Sequence, residues 1–115
     1  MTLVHPLPDD VVELIARRFR VLGEPMRIKL LEHLREGEAS VNELAAALGA
    51  SQQNVSKHLG VLADAGILRR RKAGTASYYS IADETVFKLC EDVCGSLERS
   101  FEAMGTVFAS SRSAR

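Results

Sequence analysis

The chain has 115 residues, 46% hydrophobic and 5% aromatic, with fifteen basic and fifteen acidic side chains and a formal net charge of zero. That length fits one domain able to bury about two-thirds of its unfolded surface, and neutrality excludes a global attraction to nucleic acid, so any polyanion must be met by a local patch. Residues 1–10 lack the basic start and apolar core of a secretion signal, no stretch is apolar enough to span a bilayer, and two cysteines without an export signal predict a reducing, cytoplasmic setting.

Residues 1–8, with Pro6 and Pro8, are expected to be a lead-in, residues 9–108 the folded domain and residues 109–115 a frayed tail. Asp9 and Asp10 suit the first turn of helix one, and Asp10 with Glu13 has capping-box spacing. Val11 or Val12, Ile15, Phe19 and Leu22 share one face, Arg17, Arg18 and Arg20 occupy others, and Gly23 ends the helix. Glu24-Pro25 opens helix two, where proline's missing amide does no harm; Ile28, Leu31 and Leu34 form its expected inward stripe, and Gly37 closes it. Ser40-Val-Asn-Glu43 is a capping box for helix three, which carries Val41, Leu44, Ala45 and Leu48 inward and stops at Gly49.

Helix four follows after a short turn. Ser51 is a good N-cap, Gly66 suits the left-handed position past the last turn, and Val55, Leu59 and Leu62 form an apolar stripe. Gln53, Ser56, Lys57 and Gly60 stand opposite, a face of amides, a hydroxyl and a cation fitted to hydrogen-bonding edges. Helix, glycine-containing turn, helix is the helix-turn-helix arrangement, with helix four as its recognition helix. Residues 67–72 and 77–81 then predict two strands around the loop Ala73-Gly74-Thr75-Ala76, a wing. Within residues 51–81, Lys57, Arg69, Arg70, Arg71 and Lys72 are offset only by Asp64, leaving this stretch at +4 in a neutral chain. That asymmetry is the footprint phosphates require.

Residue chemistry assigns the contacts. Gln53 and Asn54 can read adenine edges bidentately, and Ser56 and Lys57 can reach a base or phosphate. Gln52, with the helix N-terminus capped by Ser51, suits phosphate, and His58 could reach another. Arg70, Arg71, Lys72 and Thr75 belong to the wing and are expected on backbone or minor groove, whereas Tyr78 and Tyr79 are expected to pack the hairpin.

Asp83 is expected to cap a long last helix, in which Cys90, Cys94, Leu97, Phe101, Met104 and Phe108 form a heptad seam. So regular a stripe in so small a domain points to a dimer contact, with Val86, Phe87, Leu89 and Val93 flanking it. The histidines His5 and His33 stand alone, and no Ser/His/Asp set, paired carboxylates or phosphate-cradling loop appears, so enzyme chemistry is not expected. The predicted fold is mainly α with a small β-hairpin: a winged helix-turn-helix of five helices and a two-stranded wing.

Three blocks carry a family resemblance: Gly37 to Leu44; Leu48-Gly-Ala-Ser-Gln-Gln-Asn-Val-Ser-Lys-His-Leu59; and Ala65-Gly-Ile-Leu68 with Gly74 through Tyr78-Tyr79-Ser-Ile81. Over roughly residues 10–100 the chain resembles the ArsR/SmtB family of small dimeric winged-helix repressors. The resemblance implies a homodimer that joins through its first and last helices, binds double-stranded operator DNA and releases it when an inducer binds. It also implies metal sites that this chain does not carry. Ser40 and Asn42 stand where metal-sensing members place a Cys-x-Cys pair, and Asp83 matches the first ligand of a last-helix zinc site whose remaining places hold Thr85, Ser96 and Arg99. A hydroxyl, an amide and a cation do not hold zinc.

Cys90 and Cys94, one helical turn apart, are then the candidate sensor, and three readings stand beside each other. They fill a tight seam as small apolar side chains; they hold a soft metal or metalloid as thiolates; or they switch through redox or sulfur-species chemistry. Glu91 and Glu98 nearby disfavour a low thiol pKa, and α-carbons about 6 Å apart disfavour a disulfide within the helix. No cofactor is otherwise indicated. A repressor with no small-molecule sensor, a winged-helix module that binds protein, and a thiol oxidoreductase are the alternatives.

Overall fold

The computed structural model describes residues 3–101 and divides into two compact units, one ending at Asp83 and the other beginning at Glu84. The first unit holds helices α1 (Asp9–Leu22), α2 (Pro25–Leu34), α3 (Val41–Leu48) and α4 (Gln52–Asp64) with strands β1 (Ala39–Ser40), β2 (Leu68–Ala73) and β3 (Ala76–Ile81). The second holds α5 (Thr85–Ser100). The core of the first unit is aliphatic: Leu30 and Leu34 from α2, Leu44 from α3, Val55, Leu59 and Leu62 from α4, and Ile67 are fully buried. Burying each such side chain contributes roughly 1.5–3 kcal/mol.

Local chemistry sets the helix ends. Glu24 caps α2 by accepting from the Arg27 amide at 3.2 Å, with Pro25 in the first turn. At α3 the capping box is complete: Ser40 Oγ accepts from the Glu43 amide at 3.1 Å, and Glu43 Oε1 accepts from the Ser40 amide at 3.0 Å. These bonds, the backbone one foremost, hold the Glu43 carboxyl below the usual carboxylate range. A carboxyl whose pKa is depressed on folding stabilises the fold above the ordinary range and loses that contribution as pH falls through the folded value. Glu43→Gln keeps an acceptor but cannot titrate. It is therefore expected to flatten this part of the acid limb when the urea midpoint is measured against pH.

The helical faces differ from the sequence expectation in an informative way. In α2 the buried positions are Leu30, Leu31 and Leu34, while Ile28 is 41% exposed. The inward row thus runs 27, 30, 31, 34, and its first member is Arg27. Along α1, Val12, Leu14, Ile15 and Phe19 are 38–61% exposed and only Leu22 of the expected stripe is buried. Nor does Asp10 form a capping box with Glu13: the helix starts at Asp9 after an extended Pro8, and Glu13 pairs with Arg20 at 3.1 Å.

The wing is a hairpin with an addition. β2 and β3 pair antiparallel from Leu68↔Ile81 to Ala73↔Ala76, closing on the two-residue turn Gly74-Thr75. Gly74 has φ +62°, the left-handed backbone that a tight primed turn asks of its first central residue. The expected two-stranded sheet has three strands, in the order β1-β3-β2, because Ala39 and Ser40 pair with Tyr79 and Tyr78. Two residues are too short to show strand periodicity, and Ser40 carries a helix-capping signal at the same time.

In the second unit, Glu84 rather than Asp83 occupies the cap position of α5, and Lys88 pairs with Asp92 at 3.1 Å one turn on. Cys90, Cys94 and Leu97 are half-buried and Val93 is 48% exposed. The helix ends at Ser100. Phe101 has φ −133° and ψ 102°, extended backbone that breaks the helical spacing of the expected seam, and Met104 and Phe108 lie outside the described residues. No helix among the described residues is long and apolar enough to cross a membrane.

Candidate nucleic-acid interface

The turn between α3 and α4 is built by Gly49, in the left-handed region at φ 61° and ψ 35°, with the Ala50 amide donating to Ala45 at 3.0 Å. Ser51 Oγ then accepts from the Asn54 amide at 3.1 Å and starts α4. At the other end Gly66, at φ +78°, lets the Ile67 amide return to the Leu62 carbonyl at 3.0 Å, which seats Ile67 in the core. A helix fixed at both ends and buried along Val55, Leu59 and Leu62 presents its other side outward. Gln52, Gln53, Ser56 and Lys57 are exposed there and Asn54 is half-buried. Ser51, also exposed, leaves the positive end of the helix dipole at the surface.

Between this face and the wing runs a groove of about 500 Å³, with Asn42, Gln52, Gln53 and Ser56 along one wall and Thr75, Ser77 and Tyr78 along the other. Amides and hydroxyls line it, a composition suited to a hydrogen-bonding polymer edge. The wing's cations divide by strand alternation. Arg70 and Lys72 share a face with Leu68, and Arg70 donates to Ser77 Oγ at 3.4 Å; Arg69 and Arg71 lie on the other face. Arg71 is held by Glu38 at 2.8 and 3.0 Å and lies over the Tyr78 ring at 4.7 Å. The Arg71 hydrogen bond in turn holds the Glu38 carboxyl below its ordinary range.

His58 does not stand where the sequence placed it. The residue is 8% exposed, in the buried row 55, 58, 59, 62 of α4, and its Nδ1 lies 3.0 Å from Arg27 Nη1. Arginine only donates, so Nδ1 accepts and the ring proton sits on Nε2. Glu24 Oε2 approaches the same nitrogen at 3.8 Å, which leaves Arg27 as the hydrogen-bond partner. Arg27 also donates to the carbonyls of Val21 and Arg20. One guanidinium thus ties the end of α1 to the inner side of α4, and His58 is a packing residue rather than a phosphate ligand.

Arg18 makes a second link. Its Nη2 donates to the Ala65 carbonyl at the end of α4 at 3.0 Å, and its Nη1 lies 3.7 Å from Asp83. Beside it, Leu14, Arg17, Val21 and Asp64 line a hollow of about 400 Å³. Sequence reasoning missed Arg27, Glu38 and Arg18. Each acts through a partner far along the chain, and only the apolar 30, 31, 34 spacing after Arg27 hinted at one of them.

A helix-turn-helix domain profile matches residues 22–71. The HTH-type transcriptional regulator KmtR of Mycobacterium tuberculosis is 41% identical over 87 residues, covering 76% of this chain and 67% of KmtR. The transcriptional repressor SmtB homolog of Synechocystis sp. is 34% identical over 91 residues, covering 79% of this chain and 69% of its own. The chain belongs to the ArsR/SmtB family. Two solved structures agree with this ArsR/SmtB fold. The homodimeric winged helix-turn-helix domain of Mb0332 from Mycobacterium bovis, a possible ArsR-family regulator, superposes with a TM-score of 0.69 at 28% identity, covering 85% of this chain and 91% of that one. The antimony-specific transcriptional repressor AntR superposes with a TM-score of 0.66 at 35% identity, covering 87% of each chain. The protein is an ArsR/SmtB-type transcriptional repressor.

Metal sensing by such a repressor needs ligands. No group of three or more His, Cys, Asp and Glu side chains fit to hold a metal ion gathers among the described residues. The α5 helix offers Cys90 and Cys94 as thiols, both half-buried. Two soft donors suit a thiophilic ion and not a hard or fully tetrahedral one.

Proposed function

We propose that this repressor binds operator DNA as a homodimer and lets go when a soft, thiol-seeking metalloid or metal ion is held by Cys90 and Cys94. The observation that supports DNA binding best is the exposed row of Gln52, Gln53, Ser56 and Lys57 across a polar groove from the wing. In this reading Gln53 and Asn54 meet base edges, each good bidentate pair worth about 1–3 kcal/mol of discrimination. Ser51, Gln52, Ser56 and Lys57 meet phosphates or neighbouring edges, and Arg70, Lys72 and Thr75 hold the backbone from the wing.

The homodimer rests on the exposed apolar row Val12, Leu14, Ile15 and Phe19 of α1, with Cys90, Cys94 and Leu97 of α5 as the second contact. Pairing would set two recognition helices one duplex turn, roughly 34–36 Å, apart. The inducer class rests on donor chemistry. Thiolates one turn apart on a regular helix are soft ligands, and AntR is a relative named for antimony. A partner subunit would complete the coordination.

The test uses a fluorescent duplex selected from a random-sequence pool by the protein itself. Antimonite, arsenite or mercuric ion is expected to weaken wild-type binding roughly 5- to 150-fold, and Cys90→Ser/Cys94→Ser is expected not to respond. A double mutant that responds like wild type reduces the cysteines to packing residues. Release by peroxide or persulfide alone favours a redox switch, and release by none of these favours a repressor without a sensor.

A further inference from the structure

The three-stranded sheet does more than extend the wing. Arg71 pairs with Tyr78, and Tyr78 pairs with Ser40, so the three lie in register across one face. Strand alternation returns Glu38, two residues before Ser40, to that same face. The guanidinium is gripped by both carboxylate oxygens, through Nε at 3.0 Å and Nη2 at 2.8 Å, and rests on the Tyr78 ring. Bidentate pairing of this kind uses the edge of arginine that a phosphate would take, and lysine could not reproduce it. Arg70 and Lys72, on the opposite face, have no carboxylate among the described ion pairs.

We propose that Glu38 is a built-in stand-in for phosphate, withdrawing Arg71 from the DNA-contacting set and using it to fix the wing's angle, so that Arg70 and Lys72 carry the wing's phosphate contacts. The proposal rests on the DNA-binding reading above. It makes Arg71 a positioning residue and Glu38 a determinant of affinity.

Counterion release separates the roles, because each lost phosphate contact lowers the slope of log affinity against log salt by about 0.9. The same selected duplex is titrated across salt with wild type and single variants. In a homodimer each substitution removes one contact per subunit, so Arg70→Gln and Lys72→Gln are each expected to make the slope shallower by about 1.8. Arg71→Gln is expected to keep the wild-type slope and lower affinity by up to about fivefold at every salt concentration, as the loss of an exposed ion pair would. Glu38→Gln frees the guanidinium of each subunit for DNA and is expected to steepen the slope by about 1.8, with tighter binding at low salt. A shallower slope for Arg71→Gln, or an unchanged slope for Glu38→Gln, overturns the proposal. A wild-type slope near zero would instead remove the DNA-binding reading itself.

Discussion

Leu59→Ala is expected to lower the unfolding free energy by about 3–5 kcal/mol, read as a fall in the urea midpoint at unchanged m-value. Leu59 is fully buried at the centre of the α4 stripe, between Val55 and Leu62, which are fully buried too. Removing its branched end sacrifices transfer energy and leaves a cavity that helices fixed by caps at both ends can relax into only partly. Domains of this size are stable by about 5–15 kcal/mol in all, so the substitution removes a large share of the total. DNA affinity per folded molecule should change little, because the polar side of α4 keeps its residues. A loss below about 1 kcal/mol would mean that α4 is not the core helix of this fold.

Arg27→Met should destabilise the protein by about 2–4 kcal/mol through a different route. The guanidinium serves the carbonyls of Arg20 and Val21 and the His58 ring together, and its loss leaves His58 Nδ1, in a nearly closed site, without its donor. Stranded polar atoms cost more than hydrogen bonds gain. The pair Arg27→Met/His58→Leu should therefore be less destabilised than the sum of its single changes, by a coupling of about 0.5–3 kcal/mol. Because His58 lies on α4, the helix that reads bases in the proposed function, Arg27→Met should also weaken binding of the selected duplex. Additivity within about 0.5 kcal/mol would show that the two side chains do not work together.

The same pair explains what the sequence could and could not disclose. Caps at Ser40, Glu24 and Ser51 and the turns at Gly49, Gly66 and Gly74 were legible, because each is decided by a side chain and its nearest backbone. The α4 stripe was legible because aliphatic residues alone define it. The α2 face was misplaced because its row begins with Arg27, which an apolar pattern rejects, and His58 was offered to a phosphate for the same reason. Each polar residue sits in an apolar row because the other meets it there, 31 positions away. The Glu38–Arg71 pair spans 33 positions and depends on a strand of two residues, so no local window contains it. In the last helix the heptad spacing persists in the sequence past the point where the backbone turns extended at Phe101.

Arg18 has a mechanical corollary. It grips the tail carbonyl of α4 from α1, while Arg27 joins the end of α1 to the middle of the same helix through His58. A torque on α1 from a docked copy would therefore reach the rod through two links, at its middle and at its rear. Small rotations at the mating face would then alter the rod's pitch against the duplex.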